Sequence, residues 1–128
     1  MTADRIPALL EPIQNRLNAA TPGPWEDRVD DLTEDLNVWH DQEHVSFVAF
    51  CGDKNQPRAQ ADAEFIANAP TDQACLLAAL QAVTALHEHR TGEYRDMHGQ
   101  CWIGDYCVEC RDEWPCPTVV EVVSALDA

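Results

Sequence analysis

Cys107-Val108-Glu109-Cys110 sets two thiols on either side of a two-residue step, the spacing that lets both sulfurs turn toward one ion. Cys116 follows after five residues, held between Pro115 and Pro117, whose rings restrict the backbone on each side and remove two amide donors. Three converging thiolates call for a soft, redox-inert, tetrahedral cation, so the expected cofactor is zinc. Binding would also capture as thiolates side chains that otherwise titrate at about pH 8.5. The spacing offers His87, His89, His98 and Cys101 as the fourth ligand. Projected at about 100° per residue, His87 falls on one helical stripe with Leu76, Leu80 and Val83, while His89 falls on the opposite face. Helical phase therefore favours the metal set His87, Cys107, Cys110 and Cys116, with Cys101 next as the completion of an all-thiolate site. Against ligation stands the plainer role of a core histidine hydrogen-bonded to backbone. A site filled by three cysteines and a histidine leaves zinc no open position for water, which is the mark of a structural ion.

Other chemistry finds little support. Zinc nucleobase deaminases pair CxxC with a histidine and a glutamate two residues on, but here the segment is His87-Glu88-His89. The strings HExxH, GxSxG, GxGxxG and the P-loop are absent, so no catalytic residue is assigned. His40 and His44 are a conceivable second metal pair across a turn, yet solvated strand-end residues are the simpler reading. Cys51 and Cys75 lie in apolar runs and are expected to be buried, inert thiols.

With 128 residues, 45% of them hydrophobic, the chain is expected to form a single domain, residues 1–128, whose zinc-binding segment spans about 87–118. It carries 23 acidic and 8 basic side chains, a formal charge of -15, which repels phosphate backbones and anionic membranes. Neither direct nucleic-acid binding nor membrane association is expected. The N-terminus lacks the cationic start and apolar stretch of a secretory signal, so a cytoplasmic location is expected, where clustered cysteines favour metal over disulfides. Acids concentrate between Glu26 and Glu43. That block is either a solvated face or, more sharply, a mimic of a phosphate row offered to a nucleic-acid-binding protein.

An α+β fold should position these residues: an N-terminal helix, a small antiparallel sheet of about three strands, two helices, then the zinc-stapled loop and a short helix. Leu9, Leu10, Ile13 and Leu17 predict the first helix, from about Ile6 to Ala20, with Pro12 kinking it or marking its first turn. Strands are expected around Trp25–Val29, Leu36–His40 and Val45–Cys51, the last as a central strand because it is apolar on both faces. Helices are predicted from Pro57 to about Ala69 and from Asp72 to Gly92, separated by Pro70. Residues 93–117 show no sustained period and are expected to be a metal-organised loop. Thr118-Val119-Val120-Glu121 suggests a capping box opening a final helix.

Four strings, TPGPW at 21–25, DAEFIANA at 62–69, LLAALQAVTALH at 76–87 and CVECRDEWPCPT at 107–118, cover most of the chain in order. Together they resemble a group of small uncharacterised proteins of actinobacteria and their phages. The resemblance implies a histidine at the end of the long helix before the cysteines and carries no activity. The expected function is accordingly that of a zinc-stabilised, acidic, non-enzymatic interaction protein of phage or prophage origin, with a host protein as partner. A small-molecule-binding domain or small enzyme is the alternative. Cys107-x2-Cys110-x5-Cys116 also resembles the last three cysteines of WhiB-like iron–sulfur regulators, which implies a cluster. Their upstream cysteine has only Cys75 or Cys101 as a counterpart, and their glycine-tryptophan turn and basic tail are absent.

Overall fold

The structure, a computed structural model, describes residues 5–40 and 47–128. The elements are α1 (Ile6–Ala19), β1 (Glu26–Val29), β2 (Asp35–Trp39), β3 (Phe47–Asp53), α2 (Pro57–Leu86), β4 (His89–Arg95), β5 (Cys101–Cys107) and α3 (Pro117–Leu126). Helices and two small antiparallel sheets, β1-β2-β3 and β4-β5, give the expected α+β fold. The single domain expected from composition is organised as two compact units: the chain up to Asn15 together with Leu77–Ala128, and Arg16–Leu76. Both α1 and α2 contribute residues to each unit.

In the unit of residues 16–76, β1 and β2 form a hairpin whose turn is built by the acidic block itself. The Asp30 carboxylate accepts the Leu32 amide at 2.8 Å, and Glu34 takes a left-handed conformation, φ 60°, to close the turn. Part of that block is therefore turn chemistry. Leu36 and Val38 of β2 are buried against Ala63 and Ala67 of α2, with Trp25, Val29, Ala49, Cys51 and Ile66 packed around them. β2, rather than the apolar run from Val45, is the central strand. Ala49 and Cys51 of β3 meet the core, but Phe47 and Phe50 stay 50% and 62% exposed. Two apolar faces imply two covers only if both faces meet protein, and β3 has β2 alone beside it among the described strands. Val45, Ser46 and His44, with Asp41 and Glu43 of the acidic block, lie outside the described residues.

Ala63 is fully buried, so the helix is fitted to Leu36 and Val38 at the size of a methyl group. Ala63→Leu is expected to destabilise this unit by about 1–3 kcal/mol through overpacking. A denaturant midpoint at the wild-type value would show that the fit is loose.

α2 does not stop at Pro70. It is one helix of 30 residues with the proline inside it. Proline removes one backbone donor, but the flanks are rich in alanine and leucine, the best helix formers, and carry the helix through. The helix ends at Leu86 instead of Gly92. Its buried stripe keeps Leu80 and His87 from the expected set but replaces the other two by their neighbours: Leu77 is buried and Leu80, Thr84 and His87 partly so, while Leu76 and Val83 face solvent. Cys75 is exposed, contrary to the expectation of a buried thiol.

In the unit containing the cysteines, Ile6 and Leu10 of α1 are buried, and Leu9 and Ile13 partly so, as their spacing predicts. Residues 89–107 are a β-hairpin where the end of a helix, to Gly92, and then a loop are expected from sequence, paired in register from His89↔Cys107 to Arg95↔Cys101. Gly92 and Gly104 face each other across it at φ 148° and 153°, a region that favours glycine. At the tip the Asp96 carboxylate accepts the His98 and Gln100 amides at 2.9 Å and the Trp102 indole N–H at 2.8 Å. The Trp102 bond, more than the amides, holds the Asp96 carboxyl below its usual range despite a smaller opposing effect of desolvation. A depressed folded-state pKa stabilises above about pH 4 and stops doing so as pH falls through the folded value. Acidification is therefore expected to release the Trp102 indole N–H, seen as a shift of its NMR resonance. The shift should be absent in Asp96→Asn, and a wild-type resonance that does not move would refute the linkage.

α3 begins at Cys116, with Pro117 in its first turn, and the expected Thr118 capping box is not used. Cys116 has extended dihedrals, φ -69° and ψ 161°, and Pro117 supplies the helical φ at no cost in amide donors. Val119 and Val123 form its buried face.

Candidate metal centre

The cysteine site is assembled by the end of a helix, the end of a hairpin and the start of another helix. His87 directly follows α2, its amide bonded to the Thr84 carbonyl at 3.2 Å, which continues the partly buried line through Leu80 and Thr84. Cys107 is the last residue of β5 and fully buried. The chain then reverses in a tight turn. The Arg111 amide reaches the Cys107 carbonyl at 2.8 Å, the Cys107 amide reaches the Asp112 carbonyl at 2.9 Å, and Arg111 takes φ 56°. That left-handed conformation in a non-glycine residue costs about 1–2 kcal/mol, so the surroundings must hold it. Inside the turn, the Cys110 amide donates to Cys107 Sγ at 3.5 Å. Trp114 donates its amide to the Asp105 carbonyl at 3.0 Å, returning the chain along β5, and the Trp114–Pro115 peptide is cis. Cys116, fully buried, is delivered at the N-terminus of α3 as its N-cap residue.

The sulfurs of Cys107, Cys110 and Cys116 lie 3.4, 3.3 and 3.5 Å from His87 Nδ1. All four ligand atoms are within 4.8 Å of one another, the arrangement of a group that could hold one metal ion. Three hydrogen bonds do not explain this, because a neutral imidazole nitrogen has either one lone pair or one hydrogen. A shared central ion does. Tetrahedral zinc with the usual S and N bond lengths puts sulfur and nitrogen about 3.6 Å apart. Without a cation, Cys110 is a poor thiolate. Burial first, then the hydrogen bonds and negative charge of Cys107 and Cys116, push Cys110 up to about 12.

The other proposed fourth ligands are placed elsewhere. Cys101 starts β5 and is exposed, and His98 sits in the hairpin tip. His89 is the first residue of β4, so it is not on the helix at all. Its Nε2 bonds Asp105 at 2.9 Å, Thr91 donates to the same carboxylate oxygen at 2.7 Å, and its ring stacks on Trp114 at 5.0 Å. Sequence spacing missed this His89-Thr91-Asp105 cluster because it exists only once the hairpin pairs. His40 directly follows β2 and its expected partner His44 lies outside the described residues; no second ligand group is found among the described residues. All six cysteines are free thiols.

The fold and site define a small α+β protein with a closed three-cysteine, one-histidine centre capable of holding a metal. No protein-family model, no curated protein and no solved structure matches the chain. Among the described residues no helix is long and apolar enough to cross a membrane.

Proposed function

We propose that His87, Cys107, Cys110 and Cys116 bind a structural zinc ion, and that the protein is a non-enzymatic interaction protein. The observation that carries this reading is the convergence of three sulfurs on one imidazole nitrogen; four such ligands would fill a tetrahedral zinc and leave no position for water. An iron–sulfur cube fits less well, since it takes one iron under each ligand and spreads the ligands apart, whereas here they gather around one point. Free cysteines suit a reducing cytoplasm. The -15 charge suits a partner with basic surface, and the resemblance to phage and actinobacterial proteins suggests that this partner is a host protein.

Metal analysis by mass spectrometry tests the site. One zinc per chain is expected, retained in Cys101→Ala and lost in His87→Ala. Full zinc in His87→Ala, or iron with visible charge-transfer absorbance, would overturn the assignment. Capture of a host protein by the immobilised zinc form, competed by salt, tests the interaction role.

A second reading, a small-molecule-binding domain, is favoured by a cavity of about 570 Å³ beside the centre. Ile6, Leu10, Thr84, His87, His89 and Val119 are among its walls, a mostly apolar lining with a few polar groups. A thermal-shift response to a metabolite, lost on filling the cavity with Ala85→Trp, would select it.

A further inference from the structure

On the hairpin beside the metal turn lies a second groove, of about 520 Å³, whose walls combine aromatic rings with carboxylates. Tyr94 and Trp102, opposite each other in the β4-β5 register, line it together with Trp114. Trp102 is 50% exposed while its indole N–H is tied down by Asp96, so an accessible ring is held at a set angle. Four carboxylates, Asp96, Asp105, Asp112 and Glu113, share the lining with one cation, Arg111. Asp96 and Asp105 are occupied by the hairpin's own hydrogen bonds. Asp112 and Glu113 make no side-chain hydrogen bond or ion pair that would neutralise them among the described residues. Negative charge is felt within the groove: after desolvation, Glu113, Asp96 and Asp112 push the Tyr94 hydroxyl up.

We propose that this groove binds an arginine side chain carried on an extended basic segment of a partner protein. The proposal deepens the interaction role and rests on it. A guanidinium is planar, so it stacks on an indole or phenol face while its forked N–H groups pair with carboxylates. Trp102 supplies the face, and Asp112 and Glu113 supply the acceptors. A metal cation is a poor occupant, since these carboxylates do not converge as a ligand group, and the centre at His87 is the one such group among the described residues. The volume exceeds one guanidinium and has room for the flanking residues of a peptide.

The test titrates the full-length protein, its zinc content measured on the same sample, with a labelled peptide of three Arg-Gly repeats at physiological salt. A peptide with neutral citrulline for arginine serves as the comparison. Fluorescence anisotropy should show binding that falls about tenfold with citrulline, about fivefold or more in Trp102→Ala, and about tenfold in Asp112→Asn with Glu113→Gln. Asp31→Asn with Glu64→Gln, which removes the same charge from the other unit, should change affinity less than about twofold. An equal loss in that control pair would reduce the effect to general attraction by an acidic protein and overturn the proposal. Unchanged affinity in Trp102→Ala, a variant of an exposed side chain, would also overturn it. A zinc-containing protein that captures a host protein but not the peptide would sink the groove and leave the interaction role standing.

Discussion

Replacing Cys107 with serine is expected to remove the metal and unfold the unit of Leu77–Ala128 cooperatively, while the β1-β2-β3 sheet keeps its own core. The magnitude follows from what each unit buries. Around the cysteines the buried apolar residues are Ile6, Leu10, Leu77, Val119, Val123 and the two cysteines Cys107 and Cys116, so ligands make up part of the core itself. A structural zinc contributes about 10–16 kcal/mol of apparent binding energy, against about 5–15 kcal/mol for the whole stability of an ordinary domain. Few other contacts in this unit could replace such a loss. The Arg5–Asp127 pair, half exposed at 2.8 Å, is worth at most about 1 kcal/mol. Hydrogen exchange read by segment distinguishes the units: β4, β5 and α3 should lose protection and β2 should keep it. Cys110→Ser, at a less buried position, should give the same pattern, which separates loss of metal from loss of packing. Retained protection along β4 and β5 in both variants would mean that the hairpin stands without an ion.

The second large effect is a steep dependence of zinc affinity on pH. Zinc takes cysteine as thiolate, so each ion bound expels up to three protons, and apparent affinity should fall about a thousandfold per pH unit while all three thiols are protonated in the free protein. Cys110, pushed up to about 12 without a cation, keeps its own proton across the neutral range, so at least one proton is expelled there for each ion bound. Without metal the sign reverses. A thiol whose folded-state pKa is raised from 9.0 favours the folded chain below 9 and ceases to do so as pH rises from 9 toward 12. Zinc-loaded protein should thus lose stability on acidification, and metal-free protein on alkalinisation. Competition with a chromophoric chelator from pH 6 to 8 measures the slope, expected between roughly one and roughly three in log affinity per pH unit. A flat profile would mean that thiolates are not the ligands.

Much of the site was legible because it is local. The two-residue step of Cys107 and Cys110 and the prolines around Cys116 act through a few bonds of backbone, and a proline-flanked cysteine at a helix start needs no distant partner. Helical phase reaches His87 from Leu76, Leu80 and Val83, of which Leu76 and Val83 face solvent and Leu80 is partly buried. The stripe it continues is that of Leu80 and Thr84. Its selection over His89 survived because His87 keeps the helical register at the end of α2, whereas His89 has already entered β4.

The rest was hidden for identifiable reasons. Pro70 looked like a helix end, since local chemistry opposes proline inside a helix and only the flanking helix formers outweigh it. The hairpin of residues 89–107 reads as a helix end up to Gly92 and a loop beyond it because its glycines and acids mask the strand pattern, although Tyr94, Trp102, Ile103 and Tyr106 and the Asp96–Gly99 turn are signals for it. The groove, and the Asp105 cluster with His89 and Thr91, need strands paired in one register, which a linear pattern does not reveal.

The sequence by itself determined an acidic α+β chain, its first helix, its three short strands and three cysteines spaced to share one ion, because each depends on composition or on neighbours a few residues apart. Tertiary structure alone decided that β2 is the central strand, that His87 Nδ1 comes within 3.5 Å of three cysteine sulfurs lying 20 to 29 residues away, and that aromatic rings and carboxylates meet in one groove. Those outcomes depend on which distant segments exclude water together, and burial is a property of the packed chain rather than of any stretch of it.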